Sequence, residues 1–184
     1  MASLSINRLT TFPAYRSRFL SQDVVLSSPS PVVANRATTD VTVTATGLNS
    51  IYSVTIPANV MRATGRLHFD VFGTYKYDGS ETLTFTIRLG GSTVFTLIPT
   101  LGTTVNDAAL VLRLDLIAEA QTSSFGWGII DNYTISTTGG YGTSTADLTT
   151  DLVFEVFAGW SAAAAGRTYT MRFTDALLYF PTDT

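Results

Sequence analysis

Arg66-Leu-His-Phe-Asp-Val-Phe-Gly-Thr-Tyr-Lys-Tyr-Asp-Gly-Ser-Glu-Thr-Leu-Thr-Phe-Thr-Ile-Arg-Leu-Gly-Gly-Ser-Thr-Val-Phe-Thr-Leu-Ile98 alternates at its centre without a break. Leu83, Phe85, Ile87 and Leu89 share one parity, and Thr82, Thr84, Thr86 and Arg88 share the other. Side chains of a strand point to opposite faces in turn, so this run is a strand with one buried and one wet face. Asp78-Gly79 precedes it and Gly90-Gly91 follows, and both dipeptides suit the positive φ of tight hairpin turns. The stretch therefore reads as three consecutive antiparallel strands, a meander on which the rest can fold.

Working outward, Val41 and Val43 alternate with threonines, and Ile51 to Ile56 stops at Pro57, which cannot donate to a central ladder. Beyond the meander, Leu110, Leu112, Leu114 and Leu116 alternate with Val111, Arg113, Asp115 and Ile117. Leu, Ala and Glu favour helix there, but the strict period of two decides for strand. Counting from residue 50 gives eight runs: 50–56, 66–77, 81–89, 93–98, 109–121, 125–136, 151–160 and 168–180. The Gly-rich tract 136–144 between the sixth and seventh runs reads as a long flexible loop. Eight antiparallel strands in one chain suit an all-β, two-sheet sandwich, of which the eight-stranded jelly roll is the commonest form. Periodicity alone leaves other sandwich topologies open.

Residues 1–36 show neither period. They hold Pro13, Pro29 and Pro31, which favour extended backbone, yet also Leu4, Ile6, Leu9, Phe12, Tyr15, Phe19 and Leu20, too apolar for a linker. We expect an extended N-terminal arm over 1–36 that orders against a neighbour, and a β-sandwich domain over 37–184. Arg8, Phe12, Tyr15, Arg16, Arg18 and Phe19 are its candidate partner-binding residues.

The 184 residues carry 31 Thr and a single Lys, Lys76, at a formal net charge of −3. Few charges and a mean hydropathy of +0.25 suit a subunit whose outer surface is covered in an assembly. The arm has net charge +3 and the rest −6, so the body offers no clustered cations for nucleic acid. Cysteine is absent, excluding disulfides and thiolate ligands. The first residues lack the pattern of a secretory signal, and no run approaches the ~20 apolar residues of a membrane span. The expectation is a soluble protein without membrane or nucleic-acid partners.

Candidate chemistry is sparse. His68 is the sole histidine and lies opposite in parity to Leu67 and Phe69, facing water or a neighbouring subunit. One histidine without cysteine cannot build a structural zinc site, and no Gly-x-Ser-x-Gly supports a catalytic triad. Asp70, Asp115, Glu119 and Glu155 sit at outward parity, and read as a solvated face or as inter-subunit contacts to Arg66, Arg88, Arg113 or Arg172. Gly139-Gly-Tyr-Gly142 lacks the following helix of a phosphate cradle. Trp127, Tyr133, Tyr141 and Trp160 could serve as flat platforms for sugar rings, with core packing as the competing role. No catalytic residue, cofactor or metal is expected.

Tyr52-Ser-Val-Thr-Ile-Pro-Ala-Asn59, Gly65-Arg-Leu-His-Phe-Asp-Val-Phe-Gly-Thr-Tyr75 and Leu83-Thr-Phe-Thr-Ile-Arg-Leu-Gly-Gly-Ser-Thr-Val94, with Trp160 on a late strand, resemble jelly-roll virion proteins of tailed bacteriophages. The resemblance covers roughly residues 50–180; the arm lies outside it. It implies a non-enzymatic building block: a capsid decoration or cement protein, made in the host cytoplasm and placed on the capsid surface of the virion. Such a protein would form a homotrimer and bind the major capsid protein. The alternative it implies is a tail-fibre or head-fibre module that binds receptor glycans.

Overall fold

The computed structural model describes residues 32–61, 65–79, 81–102, 105–132, 136–163 and 166–179. Within them the chain forms strands β1 (Val32–Ala37), β2 (Val41–Val43), β3 (Asn49–Ile56), β4 (Arg66–Tyr77), β5 (Leu83–Leu89), β6 (Ser92–Leu97), β7 (Val105–Ala120), β8 (Ser123–Asn132), β9 (Ser136–Ser144), β10 (Leu152–Trp160) and β11 (Thr168–Tyr179). All eight expected runs are strands, and three more join them. Two sheets result. The larger has the order β1-β11-β4-β7-β8-β9 with β2 also on β11, and the smaller has the order β3-β10-β5-β6.

The pairs β1–β11, β3–β10, β4–β7 and β5–β6 are all antiparallel and nest one inside another along the chain. Every connection among these eight strands crosses between sheets except the β5–β6 hairpin. That nesting is the connectivity of a jelly roll, a long hairpin folded on itself into two Greek keys. Strands β8 and β9 are an inserted hairpin that widens the larger sheet beyond β7.

Two expectations need correcting. The stretch 66–98 is no three-stranded meander, because β4 pairs with β11 and β7 while β5 pairs with β10 and β6. Asp78-Gly79 turns the chain from one sheet to the other. A reversal signal says only that the chain turns back; the apolar rows of β4 and β5 are covered best by facing each other across the core. The Gly90-Gly91 hairpin is as expected, with φ of 58° and 80°, the pair of positive values a two-residue type I′ turn demands. The second correction concerns 136–144, which is not a loop but strand β9.

The core lies between the sheets. Leu67, Phe69, Val71 and Tyr75 of β4 and Leu110, Leu112, Leu114 and Leu116 of β7 are fully buried, facing Phe85, Ile87, Phe154 and Val156 of the smaller sheet. Aromatic rings lock the layers at their favoured offset or edge geometries: Phe69 meets Phe154 at 5.2 Å and Tyr52 at 4.5 Å, and Phe85 meets Tyr169 edge-on at 5.0 Å. Residues 32–36, assigned above to the arm, belong to β1, which pairs with the β11 edge. An exposed edge offers unpaired backbone groups, and pairing satisfies them whatever the side-chain pattern. Arg8, Phe12, Tyr15, Arg16, Arg18 and Phe19 lie outside the described residues.

Candidate functional site

The β8–β9 hairpin is built inside out. Its inward positions include Gly126, Gly128, Gly140 and Gly142, where β4 and β7 carry leucine, phenylalanine and valine. The reason is proximity: the hairpin lies directly over edge strand β6. A Cβ on Gly140 would stand 2.7 Å from a Leu97 methyl, and one on Gly142 would fall on the Val94 carbonyl oxygen. With the small residues turned in, alternation sends the large ones out. Phe125, Trp127 and Ile129 of β8 project beside Tyr141 of β9.

Trp127 and Tyr141 are direct cross-strand partners. Trp127 is 37% exposed and Tyr141 77%. Phe125 stacks against Tyr141 with centroids 6.2 Å apart and planes 30° from parallel. These rings, Ile129 and the bare backbone of Gly139 and Gly140 line a shallow depression of about 560 Å³. Phe125, Trp127, Ile129 and Tyr141 thus form one contiguous, outward-facing apolar cluster.

The patch continues into the rest of the sheet's outer face. Register places Leu177, His68, Asp115, Trp127 and Tyr141 in one row across β11, β4, β7, β8 and β9. Beside Trp127 in that row, Asp115 is only 1% exposed, and it is held by two donors. Arg66 donates from Nε at 2.6 Å, and His68 from Nδ1 at 2.9 Å. The other imidazole nitrogen lies 3.3 Å from Asp70, whose second oxygen is 3.8 Å from Arg113 Nε. Bonding to Asp115 keeps the Arg66 guanidinium more firmly protonated than an ordinary arginine, against the opposing effect of burial. The guanidiniums of Arg66 and Arg113 are each nearly half exposed beside the row, which leaves donors turned to solvent.

The sequence candidates divide accordingly. His68, Asp70, Asp115, Arg66 and Arg113 come together through register, and their contacts lie within one chain. Glu119 accepts a hydrogen bond from Ser123, Arg172 pairs with Asp40, and Arg88 stacks over Phe157 beside Glu155 on the smaller sheet; none of these touches the network. Trp160 is no platform: it is 2% exposed, stacks on Tyr77 at 6.0 Å and donates its indole N–H to the Val43 carbonyl. Tyr133 lies outside the described residues. Phe125 is the site residue that sequence reasoning missed; its shared parity with Trp127 was the available signal. Among the described residues no group of three or more acidic or histidine side chains could hold a metal ion.

No protein-family model and no curated protein sequence matches the chain. Among solved structures it is similar to the CBM2 module of the evolved Dit of Lactobacillus casei BL23 phage J-1, at 10% identity and a TM-score of 0.45 over 85% of this chain and 99% of that one. It is similar also to lectin I-B4 of Griffonia simplicifolia, at 10% identity and a TM-score of 0.43 over 86% and 96% of the two chains. The PL-14 alginate lyase of Aplysia kurodai shares 12% identity at a TM-score of 0.32 over 67% and 72%. Binding modules and an enzyme stand side by side in this set, so what the chain does must be read from its own residues.

Proposed function

We propose that the chain is a non-enzymatic, glycan-binding module of a virion, of the kind carried on fibres that recognise receptors. The observation that carries this is the pairing of Trp127 with Tyr141 as adjacent exposed rings on a rigid two-stranded platform. A pyranose ring presents a patch of C–H groups on one face and hydroxyls around its rim. Flat aromatic rings cover the first, and partly exposed guanidinium and carboxylate groups hydrogen-bond the second. Both lie here within neighbouring rows of one sheet face. Placement in a virion rests on the sequence resemblance to phage structural proteins. The capsid-cement reading leans on the arm, whose residues 1–31 lie outside the described ones, whereas the fibre-type reading has a described surface behind it.

The test is retention on immobilised glycans. The intact protein should bind at least one class of bacterial surface glycan, and Trp127→Ala should weaken that binding tenfold or more with unchanged circular dichroism. Undiminished binding by Trp127→Ala and Tyr141→Ala would remove this reading.

A further inference from the structure

We infer that the outer face of the larger sheet takes an uncharged glycan chain several units long, laid across the strands from Tyr141 to Leu177, rather than a single terminal sugar. The inference rests on the glycan-binding reading and adds ligand length, direction and charge.

Length and direction come from register. Tyr141, Trp127, Asp115, His68 and Leu177 form one row over five neighbouring strands. At about 4.8 Å between strands the row spans about 19 Å, the reach of several sugar rings in an extended chain. Chemistry changes along it in the order a polymer would use. Two aromatic rings stand at one end, the half-exposed guanidiniums of Arg66 and Arg113 flank the buried Asp115 in the middle, and the apolar Leu177 lies toward the other end. On that far side Tyr179 lies under the Arg66 guanidinium at 5.5 Å, and Phe72 and Phe173 pair at 5.8 Å. A lone terminal sugar would need only the depression at Trp127 and would leave this second apolar flank without a use.

Charge comes from the balance of the same face. Arg36, Arg66 and Arg113 stand against Asp70, Asp115, Asp131 and Asp175 in the four rows concerned, three arginines against four carboxylates. Two of the arginines are committed to these carboxylates, Arg36 to Asp175 at 3.0 Å and Arg66 to Asp115 at 2.6 Å. A face in near balance has no excess of cations to attract a polyanionic glycan, and it opposes one through Asp70 and Asp131.

The experiment is a printed array of matched ladders, disaccharide to hexasaccharide. Malto-, cello-, laminari-, chito- and manno-oligosaccharides are the neutral members, and oligogalacturonides and oligoalginates the anionic ones. The full chain is compared with Leu177→Asp and Trp127→Ala. The expected result is binding that rises at least tenfold from disaccharide to hexasaccharide on a neutral ladder. Leu177→Asp should flatten that rise while sparing the shortest ligand, and Trp127→Ala should abolish binding at every length. Length-independent binding lost only in Trp127→Ala would overturn this inference and leave the glycan reading standing. Preference for the anionic ladders would also overturn it. Failure on every ladder by protein that is retained on bacterial surface glycans would overturn this inference alone, and failure on both would overturn the two together.

Discussion

Strands β4 and β7 and the hairpin β8–β9 belong to one sheet, yet they are made in opposite ways. The first pair turns Leu67, Phe69, Val71, Leu112 and Leu114 inward and keeps a bonded network of Arg66, His68, Asp70, Arg113 and Asp115 outside. The hairpin turns glycine inward and aromatic rings outward. Both solutions satisfy the same ladder of backbone hydrogen bonds. One obtains its stability from apolar area removed from water; the other obtains closeness of backbone to backbone, and so leaves its large side chains free to meet a ligand. Stability and the proposed recognition thus fall to different strands of one surface.

The largest expected effect breaks the packed half. Phe69→Ala should cost about 3–5 kcal/mol, because a fully buried ring between Tyr52 and Phe154 leaves a cavity that the sheets cannot close. Chemical denaturation measures it, and a loss under about 1 kcal/mol would mean that the core collapses onto the gap. Gly142→Ala should be next, at about 1–3 kcal/mol, since its methyl meets the Val94 backbone and no flexible side chain can yield. Its signature is local: hydrogen exchange should accelerate across β8, β9 and β6 while β4 and β7 stay protected. Uniform acceleration would show that the hairpin is part of the core unit and the contrast is wrong.

Alkaline pH sharpens the comparison from the packed side. Burial, aided by the Asp175 charge, pushes the Tyr52 phenol from 10.0 up to about 12. Between these values the unfolded chain gives up its proton first and binds fewer protons than the folded one. Stability therefore falls as pH rises through that window and is intact below it. Tyr52→Phe should flatten the fall in Tm from pH 10 to 12. It should cost nothing at neutral pH, because the buried hydroxyl has no hydrogen-bond partner among the described residues. An unchanged slope would count against this assignment. The smallest effect on folding belongs to a ring of the outward platform. Trp127→Ala should stay within about 0.5 kcal/mol of the parent, so that its loss of binding cannot be blamed on unfolding.

The sequence was most legible where burial is one-sided and made of large residues. In β4, β5, β7, β10 and β11 the period of two announces itself, and all five strands were readable within a few residues. Strand β9 was not, because its inward positions are serine, threonine and glycine, and its outward ones are threonine or glycine around a lone Tyr141. Composition there says loop, and only the partner β8 makes it a strand. That omission also hid the site. Trp127 and Tyr141 could each be suspected of binding sugars, but their adjacency exists only once β9 is paired. The network of His68 is similar: parity put its members outside, while the contacts depend on register between β4 and β7, which no local pattern encodes. Trp160 failed as a platform for the complementary reason, since an indole looks alike in sequence whether it faces water or the core.

The glycines beneath the platform also bear on how this surface can change over generations. Among the inward glycines, Gly142 tolerates no added carbon, and Gly126 and Gly140 admit one only if a methyl of Leu116 or Leu97 moves aside, so these positions are constrained for as long as β9 lies on β6. Outward positions meet no such limit: a Cβ at Gly139 would find only ordinary contacts at 3.7 Å. On the proposed reading, substitutions arising at Gly139, Tyr141 or Trp127 would redraw what is bound while leaving the inward packing untouched. The hairpin is a strand pair with the evolutionary freedom of a loop, held at the fixed height and angle that a loop lacks.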